Sequence, residues 1–206
     1  MLVATGFYWV LSSALHLTPL QIFLVSSLLT VIATVYVCWL QPDSLMRLVL
    51  WLLTHSVYRI RVVGPENIPE RSGALFVSNH MSFVDALLLI ASTDRRIRFL
   101  MEEELYERPF IKPFARMMRV IPISTRQSPR ALIHALREAT RSIQEGRVVC
   151  IFAEGQITRI GQLLPFRRGF ERIMKNVDAP IIPVNLDRVW GSMFSYHKGR
   201  IFWKMP

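Results

Sequence analysis

Two short stretches of the chain concentrate side chains able to do chemistry. The first is Ser78-Asn79-His80-Met81-Ser82-Phe83-Val84-Asp85, and the second is Phe152-Ala153-Glu154-Gly155-Gln156-Ile157-Thr158-Arg159. In the first, His80 is the side chain able to take a proton near neutral pH. Asp85 would fall in the first turn of a following helix, where it can point back at the imidazole. Such a carboxylate fixes the tautomer and raises the basicity of the ring. The same residues allow a plainer assignment. Ser82-Phe83-Val84-Asp85, just before Ala86-Leu87-Leu88-Leu89, is also an S-x-x-D capping box, which would make Asp85 a cap and His80 an ordinary loop residue. The second stretch offers a permissive glycine, a hydroxyl and a guanidinium. Those suit a phosphate, since arginine binds phosphate oxygens bidentately. Arg167 and Arg168 follow, and either extend that phosphate site or form a solvated helix face.

Both stretches follow apolar β-type runs, Ala74 to Val77 and Val148 to Phe152. Ligands collect at the C-terminal ends of strands in a parallel sheet, so both would stand on one edge. Further strands are expected at Arg59 to Val63, Ile97 to Met101, Val120 to Ser124 and Ile181 to Leu186. Helices are expected at Ala86 to Ala91, from Ser128-Pro129 to Gly146, and at Glu171 to Asn176. The middle one has Ser as N-cap, Pro at N1 and the stripe Leu132, Leu136, Ala139, Ile143. Phe110, Ile111, Phe114, Met117 and Met118 also repeat at helical spacing and read as a core face with solvated charges, or as a lining for an acyl chain. Strands alternating with helices imply an α/β domain with a mostly parallel sheet flanked by helices.

The remainder of the chain is of another kind. The net charge is +10 and 51% of the residues are hydrophobic, a combination that excludes a disordered polyelectrolyte. The first charged side chain is Asp43, so every Lys, Arg, Asp and Glu lies in residues 43–206. Leu20 to Leu40 carries no charge, and at 1.5 Å per residue it reaches about 30 Å, enough to span the hydrocarbon core of a bilayer. Residues 1–42 are therefore expected to be a transmembrane segment, one full span plus a partial apolar helix over Gly6 to Leu17. Residues 43–58 are expected to be an amphipathic helix in the interface plane, with Leu45, Leu48, Val49, Leu52 and Leu53 apolar. Residues 59–206 form the α/β domain. Arg47, Arg59 and Arg61 follow the span and nothing positive precedes it, which places the domain on the cytoplasmic side of an inner membrane. Cys38 and Cys150 form no C-x-x-C, and the five histidines show no pair at ligand spacing, so no metal is expected.

Taken together, the two stretches resemble the glycerolipid acyltransferase family, which includes bacterial 1-acylglycerol-3-phosphate acyltransferases. His80 and Asp85 sit on the N-H-x-x-x-x-D block. Glu154, Gly155, Thr158 and Arg159 match the E-G-x-x-[ST]-R block, and Ile181-Ile182-Pro183-Val184 resembles the Pro-containing β-run. The second block departs from the pattern: Arg119 to Arg126 lacks the Gly and the Phe, and Arg126 is displaced by one position. The resemblance implies acyl transfer from an acyl thioester, on acyl carrier protein or coenzyme A, to a lysophospholipid hydroxyl at a membrane. His80 would be the general base, oriented by Asp85. Glu154, Gly155, Thr158 and Arg159 would hold the glycerophosphate, with Arg126, Arg167 and Arg168 as further binding residues, and with no other cofactor. A finer resemblance, carried by Leu186 to Ser195 after a hydrophobic hairpin, is to fused bacterial proteins joining a lysophospholipid transporter, an acyltransferase and an acyl-carrier-protein ligase. It implies 2-acylglycerophosphoethanolamine as acceptor.

Other classes fit less well. Nucleic-acid binding finds no motif among the dispersed basic residues. A serine hydrolase using Ser82 lacks a G-x-S-x-G elbow. A non-catalytic membrane-tethered interaction domain leaves His80 and Asp85 without a purpose.

Overall fold

The computed structural model describes Trp9, residues 18–124 and residues 129–196. The chain divides into two compact units, residues 1–48 and 49–206. Apart from Trp9, the expected partial helix over Gly6 to Leu17 lies outside the described residues.

In the first unit, helix α1 runs from Pro19 to Leu40. Thr18 caps it. The Gln21 N–H donates to Thr18 Oγ1 and Thr18 N–H donates to Gln21 Oε1, so two end donors are satisfied reciprocally. Three hydroxyl residues of this run bond within the helix. Thr30 and Thr34 donate to Ser26 and Thr30 carbonyls, each at 2.8 Å, and Ser26 donates to the Phe23 carbonyl at 3.0 Å. Pro19–Cys38 is long and apolar enough to cross a membrane, and its Leu, Val, Ile and Phe side chains are largely exposed.

Helix α2, Pro42–Val57, passes from the first unit into the second. Leu48, Val49 and Leu52 are exposed, while Leu50 and Thr54 are buried. Arg59 to Val63 is not a strand. This segment pairs with no strand of the sheet and leaves Val63 82% exposed.

The rest of the second unit is a five-stranded, all-parallel sheet. In chain order come β1 (Ala74–Ser78), α3 (Asp85–Ala91), β2 (Ile97–Glu102), α4 (Glu103–Tyr106), α5 (Lys112–Met117), β3 (Ile121–Ile123), α6 (Pro129–Gln144), β4 (Val148–Phe152), α7 (Gly169–Met174) and β5 (Ile181–Val184). The spatial order is β3-β2-β4-β1-β5. Strand β1 is an interior strand and wholly buried, as its apolar run predicts for a strand covered on both faces. Leu75, Val77 and Val149 on one face pack with Leu136, Ala139 and Ile143 of α6 and Ile173 of α7. The stripe read from the sequence is therefore the core face of α6.

The stripe at Phe110 to Met118 fares otherwise. Helix α5 is short, Phe110 lies outside it and is 94% exposed, and Ala115 is the buried residue of the helix. Strand β5 also stops sooner than expected. β1 ends at Ser78, which pairs with Val184, and the partner of Leu186 is a side chain: Asn79 Oδ1 accepts the Leu186 N–H at 2.8 Å and Asn79 Nδ2 donates to the Leu186 carbonyl at 3.1 Å.

Candidate active site at the C-terminal sheet edge

Register decides what faces what. Ser78 of β1 pairs with Phe152 of β4, so the two chemistry-bearing stretches leave adjacent strands side by side. They are joined through the His80 peptide. Its N–H donates to Glu154 Oε1 at 2.9 Å, and its carbonyl accepts the Thr158 N–H at 2.9 Å. The other Glu154 oxygen accepts the Leu164 N–H at 2.9 Å. Glu154 is 2% exposed. A buried carboxylate needs such partners, since an unpaired one is costly.

The His80 ring lies flat against Phe152, with centroids 4.0 Å apart, and its Nδ1 is 2.8 Å from Asp85 Oδ2. That contact leaves Nε2 as the ring nitrogen for a substrate proton. His80 keeps 20% side-chain exposure and Asp85 none. Asp85 also accepts the Met81 N–H at 2.6 Å and the Ser82 N–H at 2.9 Å on the same oxygen, and the Ser82 hydroxyl at 2.5 Å on the other.

The two assignments left open for Asp85 resolve unequally. Half of a capping box is present, the carboxylate on the Ser82 N–H. The other half is weaker: the Ser82 hydroxyl accepts the Val84 N–H at 3.3 Å while donating to Asp85, and α3 has Val84 as N-cap with no side-chain cap bond. The donors that Asp85 gathers precede the helix, so the carboxylate orders the histidine loop rather than the helix end. Ser82 is fully buried with its hydroxyl committed, an arrangement unlike that of an exposed nucleophile.

Two further residues stand near this cluster. Tyr58, just after α2, has its ionisation pushed up by burial; the Asp85 charge adds to the shift and Ser192 opposes it. Burial likewise pushes up the Cys150 thiol in the middle of β4, again with Asp85 adding, so that sulfur is held as an unreactive core atom.

The acyltransferase family profile matches residues 59–187, which contain both stretches and the whole sheet. The chain belongs to the acyltransferase family. Curated relatives include the chloroplastic 1-acyl-sn-glycerol-3-phosphate acyltransferase of Brassica napus, 29% identical over 133 residues, covering 64% of this chain and 38% of that protein. The 1-acyl-sn-glycerol-3-phosphate acyltransferase of Borreliella burgdorferi is 30% identical over 141 residues, covering 68% of this chain and 55% of that protein. The chain thus spans from just under two-fifths to just over half the length of these relatives. The crystal structure of the 1-acyl-sn-glycerophosphate (LPA) acyltransferase from Thermotoga maritima superposes with a TM-score of 0.50 at 26% identity, over 59% of this chain and 47% of that one.

Within this member of the acyltransferase family, the expected binding residues divide by placement. Gly155 adopts φ +68°, and a Cβ there would stand 2.8 Å from Arg167 Nε, so glycine lets the Arg167 side chain lie across the turn. The Arg167 N–H is itself tied to the Ala153 carbonyl at 2.8 Å. Arg159 is exposed, with its guanidinium 5.4 Å from the Tyr196 ring centroid. Arg168 is exposed just before α7. Thr158 is fully buried and its hydroxyl accepts the Ile160 N–H at 3.4 Å. Arg126 lies outside the described residues. Glu154 and Thr158, expected to hold substrate, are used by the protein itself. Sequence reading gave Asn79 no role; its signal was its place directly before His80.

Proposed function

We propose that this acyltransferase moves a fatty acyl group from an acyl thioester to the free hydroxyl of a 1-acylglycerol-3-phosphate-type lysophospholipid. The observation that carries the reading is the His80–Asp85 pair, braced through the His80 peptide by Glu154 and Thr158 and flanked by exposed Arg159 and Arg167. His80 Nε2 takes the hydroxyl proton as the oxygen bonds to the thioester carbonyl carbon. The carbon–sulfur bond breaks as the tetrahedral intermediate collapses, and the imidazolium returns the proton to the leaving thiolate. Asp85 steadies the imidazolium. No acyl-enzyme is required.

The acceptor follows from charge. Residues 155–170 contain Arg159, Arg167 and Arg168 and no Asp or Glu, and the Glu154 carboxylate is spent on backbone N–H groups. A phosphate monoester, with close to two negative charges, suits three guanidinium groups better than a zwitterionic phosphoethanolamine does. The names of the relatives agree with this choice. A second reading, 2-acylglycerophosphoethanolamine within a fused transporter and ligase protein, draws on Leu186 to Ser195. That segment packs on the histidine loop, with Phe83 N–H on the Phe194 carbonyl at 3.1 Å.

The donor is an acyl carrier protein or coenzyme A thioester. Helix α1 anchors the enzyme in the inner membrane with the sheet domain on the cytoplasmic side. The test is radiolabelled acyl transfer by the detergent-solubilised chain, offering both thioesters to a panel of lysophospholipids, with His80→Ala as control. His80-dependent product on 1-acylglycerol-3-phosphate is expected. Preference for 2-acylglycerophosphoethanolamine would replace the first reading with the second, and equal product from His80→Ala would refute the general base.

A further inference from the structure

We propose that the loop between β4 and α7 is a membrane-docking surface, seating Ile160, Leu163 and Phe166 in the interfacial layer of a bilayer that carries anionic lipid. The inference rests on the reading that the acceptor is a bilayer lipid. Its basis is separate: Ile160 is 65% exposed, Leu163 60% and Phe166 51%, three large apolar side chains from one loop. Single exposed apolar residues are ordinary, whereas a group of them marks an interaction site.

The loop is held in this form. Leu164 N–H is fixed on Glu154, and Arg167 N–H on the Ala153 carbonyl. Gly161, at φ +76°, lies so close to Trp190 that a Cβ would stand 2.4 Å from the indole nitrogen. A loop pinned at three points cannot fold its apolar side chains inward.

Charge selects the occupant. Arg159, Arg167 and Arg168 flank the apolar residues, and residues 155–170 hold no acid. Apolar side chains that enter the acyl boundary, with guanidinium groups at headgroup level, are the pattern of an interfacial lipid contact. An acidic soluble protein would answer the arginines and leave the three apolar side chains in water. The surface also continues toward the histidine loop. Arg159 lies over Tyr196, and Tyr196 meets Phe83, which is 46% exposed, at 5.2 Å between ring centroids. The same Glu154 carboxylate grips the His80 and Leu164 peptides, so docking this loop sets His80 beside the bilayer surface. A lipid acceptor would then reach the base without leaving the membrane.

The test uses the full chain in vesicles, with Cys38→Ala removing the partly exposed thiol and Cys150 fully buried. An environment-sensitive probe is attached at Leu163→Cys or, as control, at exposed Glu70→Cys, which precedes the N-terminal end of β1. Nitroxide-bearing phosphatidylcholine is mixed with phosphatidylglycerol. The Leu163 probe is expected to shift to the blue and to be quenched several-fold more than the Glu70 probe, with a smaller difference when phosphatidylglycerol is omitted. Equal quenching at the two sites, or protection of the Leu163 probe by acyl carrier protein alone, would overturn the proposal. Acyl transfer is assayed on the same labelled proteins. Quenching without turnover keeps the docking surface and counts against the acyltransferase reading; turnover without quenching does the reverse.

Discussion

Glu154→Gln separates two roles for one carboxylate, holding substrate or holding the protein. Glu154 is 2% exposed, and its oxygens accept the His80 and Leu164 N–H groups, each at 2.9 Å. Glutamine keeps the shape but turns one acceptor into an NH₂ that faces an N–H donor. The remaining bond falls from charged to neutral. A hydrogen bond to a charged group contributes about 1.5–3 kcal/mol, and a buried donor left unpaired costs about 1–3 kcal/mol. The substitution should therefore destabilise the domain by about 2–4 kcal/mol, a fall in Tm of roughly 4–16 °C for a domain of this size. The His80 peptide loses its brace, and a small misplacement of a reacting group costs on the order of 10²-fold in rate. The assay is acyl transfer below the lowered Tm, with acceptor concentration varied. We expect kcat to drop by about that factor while the acceptor KM stays within roughly threefold, because the carboxylate touches protein and not lipid. A variant with wild-type Tm and an acceptor KM raised tenfold or more would refute the reasoning and return Glu154 to the substrate.

His80→Ala should lower kcat by about 10²–10⁴ with a Tm close to wild type, since Asp85 keeps its other donors. Arg159→Ala should raise the acceptor KM by about tenfold, the loss of one charge-assisted contact, and leave kcat nearly unchanged; an unchanged KM would remove Arg159 from the acceptor site. Ser82→Ala should retain a rate within tenfold of wild type, checked in the same assay, because the hydroxyl serves the protein, donating to Asp85 and accepting the Val84 N–H; loss as deep as that of His80→Ala would revive the nucleophile. Tyr58 has a raised folded pKa, so its contribution is whole below the unfolded value of about 10 and is lost as pH climbs above it. Urea midpoints of the wild type should accordingly fall more steeply above that pH than those of Tyr58→Phe.

Most of the elements, and the placement of the two stretches on one sheet edge, were legible without coordinates. Apolar runs ending in punctuation gave β1, β4 and α6 nearly residue for residue, because a buried strand and an amphipathic helix carry their burial in their local pattern. The uncharged run ending at Leu40 gave α1 through its length and apolar composition. The sequence also placed His80 in the loop after a strand and Asp85 in the first turn of the following helix, and left two assignments for Asp85. What the pattern could not carry was partnership. Arg59 to Val63 has strand-like residues, yet a strand exists only by pairing with a neighbour, and this segment joins none of the five strands. Glu154 carries the character of a binding residue by motif, and only the pairing of Ser78 with Phe152 brings its carboxylate under the His80 peptide, 74 residues away in the chain. Asn79 closes the end of the β1–β5 ladder across 107 residues, a contact no local spacing encodes. Composition and periodicity follow from each residue's own preference for water or apolar surroundings. The identity of a hydrogen-bond partner follows from register, which exists only once the sheet has formed.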